Sequence, residues 1–142
     1  MQSNCCDMLV FGGTGDLALH KLLPALYYLH RGGRLHRDTR ILALARSTHT
    51  RAAYQALAER HCRAQVARAD FDDDTWRSFA ERLDYFAMDA SQSADFGRLA
   101  KSLGSDRERV RVYYLATAPD LFEAIATHLK VAGLAGAGAR IV

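Results

Sequence analysis

The sequence is short of proline, cysteine and lysine, and it has no long apolar run. Only Pro24 and Pro119 occur in 142 residues, so no proline-rich linker divides the chain and a single domain is expected. Cysteine is limited to Cys5, Cys6 and Cys62. That odd count, with no CxxC spacing, argues against a disulfide framework or a metal site and for reduced thiols. The apolar run Met8 to Phe11 is far too short for a signal-peptide core or a membrane span. A cytoplasmic, unprocessed chain with no membrane partner is the expectation. Neither sign of charge dominates, with 19 Lys+Arg against 16 Asp+Glu for a net charge of +3. The cations are scattered and almost all arginine, the only lysines being Lys21, Lys101 and Lys130. A solvated surface accounts for them, and no nucleic-acid partner is expected. There is no internal repeat and no low-complexity block.

What is present is alternation. Hydrophobic residues make up 49% and charged residues 25%, the balance of an ordinary globular protein. Short apolar runs at Met8–Phe11, Ile41–Ala45, Tyr85–Met88 and Val110–Ala116 predict strands, and Arg140–Val142 predicts the start of a fifth. Helical spacing fills the intervals. It runs from Leu17 to Leu29, with a bend or tightened turn near Pro24 and a stop at Gly32-Gly33. It resumes from Thr50 to Ala67, then in a short helix through Trp76 and Phe79 that Asp74 would cap. Ser93 to Leu103, opened by Ser91 or Ser93, and Pro119 to Ala132 complete the set. Such alternation predicts an α/β domain with a doubly wound parallel sheet and helices on both faces. An apolar strand that ends at Val142 is expected to be continued. Residues 1–142 are therefore expected to be an incomplete domain, truncated at about the fifth strand and marginal in stability alone.

The first strand runs into Gly12-Gly13-Thr14-Gly15-Asp16-Leu17-Ala18, which contains G-x-G-x-x-A between a strand and a helix. This is the context of a Rossmann-like dinucleotide turn. Gly13 would permit a turn too tight for a side chain. Gly15 would let backbone N–H groups approach a pyrophosphate, and Ala18 would keep the helix close to the sheet. A helix N-terminus offers unpaired donors and partial positive charge to phosphates. A plain strand-to-helix turn explains one glycine but not this cluster. Gly12, Gly13, Thr14, Gly15, Asp16 and Leu17 are thus candidate coenzyme residues. Asp16 is assigned chiefly to N-terminal capping or to pairing with the helix dipole, since a carboxylate repels a pyrophosphate. After the second strand stands Arg46-Ser47-Thr48, where NAD-preferring sites carry an acid for the ribose hydroxyls. A guanidinium and neighbouring hydroxyls suit a 2′-phosphate, so Arg46 and Ser47 point to NADP. Asp89, Ala90, Tyr114 and Ala116 fall at the carboxyl ends of the third and fourth strands, the edge where open α/β sheets bind ligands. Alternation sends Tyr113 and Tyr114 to opposite faces, and core packing competes with a coenzyme role for either.

Val10-Phe-Gly-Gly-Thr-Gly-Asp-Leu-Ala18, followed by Lys21-Leu-Leu-Pro-Ala-Leu-Tyr27, closely resembles the N-terminus of the glucose-6-phosphate dehydrogenase family. Ala45-Arg46-Ser47 and Tyr114-Leu-Ala-Thr-Ala-Pro-Asp-Leu-Phe122 match further family segments in the same order, and Ala118 stands where many members have proline. The resemblance covers the whole chain. It implies hydride transfer from glucose 6-phosphate to NADP, giving 6-phosphogluconolactone, with this chain as the coenzyme domain. It also implies that Lys21 lies near substrate and cofactor phosphates. The family's E-K-P and H-Y-L-G-K segments and its catalytic histidine have no equivalent here. No catalytic residue is assigned among the six histidines, and homo-oligomer formation is expected only through the larger domain. Two other readings stay open: a stand-alone NADP-binding module and an inactive truncated product.

Overall fold

The computed structural model describes residues 6–104, 109–136 and 139–142. Five strands, β1 (Cys6–Phe11), β2 (Arg40–Ala45), β3 (Leu83–Ala87), β4 (Val110–Leu115) and β5 (Ala139–Ile141), form one sheet in the order β3-β2-β1-β4-β5. Every pairing is parallel. The connections carry helices α1 (Leu23–Arg31), α2 (Arg51–Gln65), α3 (Asp73–Ala80), α4 (Ser93–Leu103) and α5 (Phe122–Val131).

Strand pleating divides the core into two layers. Val10, Ile41 and Ala43 face one side, where they pack with Leu23, Tyr27, Tyr54, Cys62, Trp76 and Phe79. Leu9, Phe11 and Leu44 face the other, against Phe96, Leu99, Ile125 and Leu129. Both faces of the sheet are therefore buried under helices, which is why its strands read as continuous apolar runs. Tyr113 is fully buried in the second layer, while Tyr114 turns to the first and is half-buried there.

Three local expectations are corrected. The helix ahead of Pro24 is not tightened but widened. Leu17–Leu22 is wound as a π-helix, and the Leu23 N–H reaches back five residues to the Ala18 carbonyl. Proline has no N–H for the regular ladder and its ring would collide with the preceding turn; the wide turn absorbs this, leaving Pro24 in the first turn of α1. The cap of α3 is Asp72, whose carboxylate accepts from the Thr75 N–H at 2.8 Å; Asp74 is exposed within the first turn and pairs with Arg77. At α4 neither Ser91 nor Ser93 caps. Gln92 holds that position without a side-chain bond, and Ser91 is instead tied to Asp89. Cys5 lies outside the described residues.

Candidate functional site

Gly12 follows β1 with φ +81°, and a Cβ there would stand 2.5 Å from the Ala116 carbonyl oxygen. A Cβ on Gly13 would stand 2.6 Å from the Ala43 Cβ. The left-handed residue of the turn is thus Gly12, not Gly13, and Gly13 is required by the close approach to β2. The N–H groups of Gly12 and Gly13 both donate to the Leu44 carbonyl, at 2.9 and 3.0 Å, and that of Gly15 donates to the Gly12 carbonyl at 3.0 Å. These three amides hold the turn itself. The Thr14 amide makes no hydrogen bond among the described residues, and first-turn helix amides have no carbonyl a turn earlier to bond. Those are the donors offered outward. A Cβ on Gly15 would crowd the Gly12 carbonyl oxygen, at 3.3 Å, and would meet nothing else within 4 Å. Ala18 is fully buried, as close helix–sheet packing requires.

Two tyrosines fasten the turn and its neighbouring loop from behind. The Tyr54 hydroxyl, on α2, donates to the Gly13 carbonyl at 2.7 Å in a buried bond. The Tyr85 hydroxyl, on β3, donates to the Ala45 carbonyl at 3.1 Å and to the Ser47 carbonyl. The rings stack at 5.1 Å, and His49 sets its ring edge-on to Tyr85. Burial pushes both phenols above the ordinary tyrosine range, so both stay protonated donors. Helical spacing from Thr50 to Ala67 places Tyr54 on a helix and does not show this role. The available signal was chemical: a buried tyrosine hydroxyl has to find an acceptor.

In front of the turn a cleft of about 430 Å³ opens at the carboxyl ends of β1 to β4. It brings together Gly12, Thr14, Gly15, Arg46, Ser47, Asp89, Ala90 and Ala116, eight of the residues singled out by pattern. Phe11, Leu44, Met88 and Leu121 give it apolar walls, and Ser91 and Thr117 also line it. Gly13 is buried behind the turn against Ala43. Asp16 and Leu17 are exposed on the first helical turn and do not line the cleft. Asp16 has helical backbone angles and makes no capping bond, so capping is ruled out and pairing with the helix dipole is the expected role that its place at the helix start still allows. Tyr114 packs against the first core layer rather than the cleft, and Lys21 is exposed on the π-helical segment outside it.

The charge in the cleft is arranged around Arg46 and Asp89. Arg46 is exposed and makes no hydrogen bond or ion pair among the described residues. Asp89 accepts from the Ser91 hydroxyl at 2.7 Å and from its N–H at 2.9 Å. Those two bonds, then the positive charge of Arg46, hold the Asp89 carboxyl below its ordinary range. None of the six histidines lines the cleft. His20 and His61 face each other at 2.9 Å, His30 lies between Ser78 and Arg82, and His128 lies against Phe96. His36 is 4.0 Å from Asp38, in the loop that leads into β2. Among the described residues no group of three or more His, Cys, Asp or Glu is placed to hold a metal ion, and no helix is long and apolar enough to cross a membrane.

With this geometry in view, the comparisons agree. The family model described as "Glucose-6-phosphate dehydrogenase, NAD binding domain" matches residues 9–142. The chain is 37% identical over 141 residues to a glucose-6-phosphate 1-dehydrogenase of Zymomonas mobilis, covering 99% of this chain and 29% of that protein. It is 35% identical to one from Dickeya dadantii, covering 99% of this chain and 28% of that protein. The crystal structure of glucose-6-phosphate 1-dehydrogenase from Mycobacterium avium superposes with a TM-score of 0.87 at 29% identity, covering 99% of this chain and 29% of that one. The chain therefore spans less than a third of the length of these relatives.

Proposed function

The chain belongs to the glucose-6-phosphate dehydrogenase family as its NAD binding domain, and on that footing we propose that it holds NADP for the oxidation of glucose 6-phosphate to 6-phosphogluconolactone. The observation that carries the NADP reading is that Arg46 and Ser47 share one cleft with the glycine turn. A nicotinamide nucleotide fits the residues present. Gly15 leaves room for a pyrophosphate, the Thr14 and first-turn amides are donors without protein partners, and Arg46 is a cation with no fixed partner beside them. The nucleotide, when bound, supplies the hydride acceptor.

The chain's own residues bind and orient. Thr14, Gly15 and the first helical turn hold the pyrophosphate. Arg46 and Ser47 hold the 2′-phosphate, and Asp89 and Ala90 flank the adenosine. The apolar walls from Phe11, Leu44, Met88 and Leu121 exclude water from the cleft. Ala116 and Thr117 line the side nearer the turn. Lys21 is the proposed contact to the sugar phosphate, as the family resemblance implies. Proton removal from the sugar hydroxyl is assigned to the part of the protein that the longer relatives have beyond this span, because no histidine lines the cleft here.

The test is a calorimetric titration of NADP and NAD into the parent and Arg46→Ala. One charge-assisted hydrogen bond contributes roughly 1.5–3 kcal/mol, so Arg46→Ala should weaken NADP roughly 10- to 150-fold and leave NAD nearly unchanged. Equal NADP affinity in the two proteins rules the assignment out.

A further inference from the structure

Resting on that coenzyme reading, we propose that Tyr85 and Tyr54 are positioning residues with separate duties: Tyr85 presets the loop that selects the 2′-phosphate, and Tyr54 presets the turn that takes the pyrophosphate. Neither lines the cleft; each acts through a carbonyl of a segment that does.

Tyr85 is suited to this by what else the loop lacks. Arg46, Ser47 and Thr48 are all exposed. The Ala45 carbonyl, at the end of β2, is already secured by the Met88 N–H at 2.8 Å, and the next anchored carbonyl is that of Thr50, the N-cap of α2, which accepts from the Tyr54 N–H at 3.0 Å. Between those two points, the Tyr85 hydroxyl on the Ser47 carbonyl is the single hydrogen bond to the loop backbone among the described residues. His49, edge-on to the same ring, closes the loop from its far end. Loosening this tie frees Arg46 to sample many directions, and ordering it again opposes binding. Only a nucleotide with a 2′-phosphate uses Arg46, so the loss falls on NADP and not on NAD.

Tyr54 acts elsewhere. Its hydroxyl reaches the Gly13 carbonyl, inside the turn that every dinucleotide pyrophosphate shares. Loosening that bond weakens both nucleotides by one common factor. Stacking of the two rings keeps both hydroxyls in register with their carbonyls.

Affinities of NADP and NAD would be measured by calorimetry on the full chain for the parent, Tyr85→Phe, Tyr54→Phe and Arg46→Ala, with each fold checked by circular dichroism. Tyr85→Phe should lower the NADP:NAD affinity ratio about threefold to tenfold, the effect of one ordinary hydrogen bond. Tyr54→Phe should weaken both nucleotides equally and leave the ratio where it was. An unchanged ratio in Tyr85→Phe, or a comparable ratio shift in Tyr54→Phe, overturns the division of duties. A general loss of structure does not produce the ratio shift expected of Tyr85→Phe, because it lowers both affinities together; in Tyr54→Phe the circular dichroism spectrum separates such a loss from the expected common weakening, which requires a parent-like spectrum. Backbone 15N relaxation on the nucleotide-free parent tests the preset loop without any substitution. Residues 46–49 should show order parameters near those of rigid backbone, about 0.85, and values under about 0.6 overturn the proposal. If Arg46→Ala also leaves the ratio unchanged, the coenzyme reading fails and this inference falls with it. If Arg46→Ala shifts the ratio and Tyr85→Phe does not, only the inference fails.

Discussion

At Gly12 the backbone holds φ +81°, and the Cβ of any L-residue would overlap the Ala116 carbonyl. Two penalties meet there: left-handed strain of about 1–2 kcal/mol and a contact with backbone that has no room to withdraw. Gly12→Ala should therefore lose more than about 2 kcal/mol, and it should also push β1 away from β4 at the mouth of the cleft. Gly97, exposed in the middle of α4, has nothing within 4 Å of where its Cβ would be. Gly97→Ala should gain roughly 0.5–1 kcal/mol from helix propensity. Urea unfolding of the two variants checks the contrast, and a neutral Gly12→Ala would remove the steric argument. A pattern of closely spaced glycines shows that a tight turn is needed. Which glycine bends and which one touches β2 depends on where β2 and β4 lie, and neither is local in sequence.

At the level of elements, helix positions followed from period and boundaries followed from caps. Thr50 caps α2 by accepting from the Ala53 N–H at 3.0 Å, where spacing opened that helix. Before α3 the chain offers Asp70, Asp72, Asp73 and Asp74, and propensity rules do not rank four nearby carboxylates. Phe71 settles the choice by stacking on Tyr27, with Trp76 and Phe79 facing the same ring, which sets the entry angle of the helix. Asp72 then meets both the N–H and the hydroxyl of Thr75. Asp72→Ala should cost about 1 kcal/mol and Asp74→Ala under about 0.5 kcal/mol, because an exposed i,i+3 pair adds little. Thermal melts of both variants measure the difference, and equal losses would return the cap to Asp74.

Across the whole molecule, a single buried acid joins three strands at the edge opposite the cleft. Asp7, on the central strand, sits in register with Arg40 on one side and Arg111 on the other. Arg40 donates to both of its oxygens at 2.8 and 2.9 Å, and the Arg109 Nε donates at 2.7 Å. Burial by itself raises the Asp7 carboxyl; the bonds from Arg40 and Arg109 outweigh it and bring the group below the usual carboxylate range. A folded value below the unfolded one means this contribution is complete above about pH 3.9 and is lost as pH falls through the folded value. Urea midpoints followed from pH 7 downward should hold and then drop below about pH 4. Asp7→Asn should cost about 3–5 kcal/mol at neutral pH, through uncompensated arginine charge, and should flatten that acid limb. An acid limb that is unchanged in the variant would assign it to other groups. Asp7 is preceded by cysteine and followed by methionine, and nothing in that setting marks it as paired.

The sequence by itself determined the alternation of strands and helices, the strand-turn-helix setting of the glycines, the cation after β2 and the family. All of these are periodic or contiguous, and the rules of strand, helix and turn act over a few residues. Eight residues chosen that way meet in one cleft, because the carboxyl ends of neighbouring parallel strands must lie together. The tertiary structure alone decided that Tyr54 anchors the glycine turn and Tyr85 the loop after β2, that Gly12 carries the strained angle, that Asp16, Leu17, Lys21 and Tyr114 stand outside the cleft, and that Asp7 ties three strands. The tyrosine and Asp7 contacts and the close approach at Gly12 each join residues 33 or more positions apart, and which residues line the cleft depends on how the strand ends are brought together. Such a contact exists only once the sheet has brought distant segments within hydrogen-bonding reach.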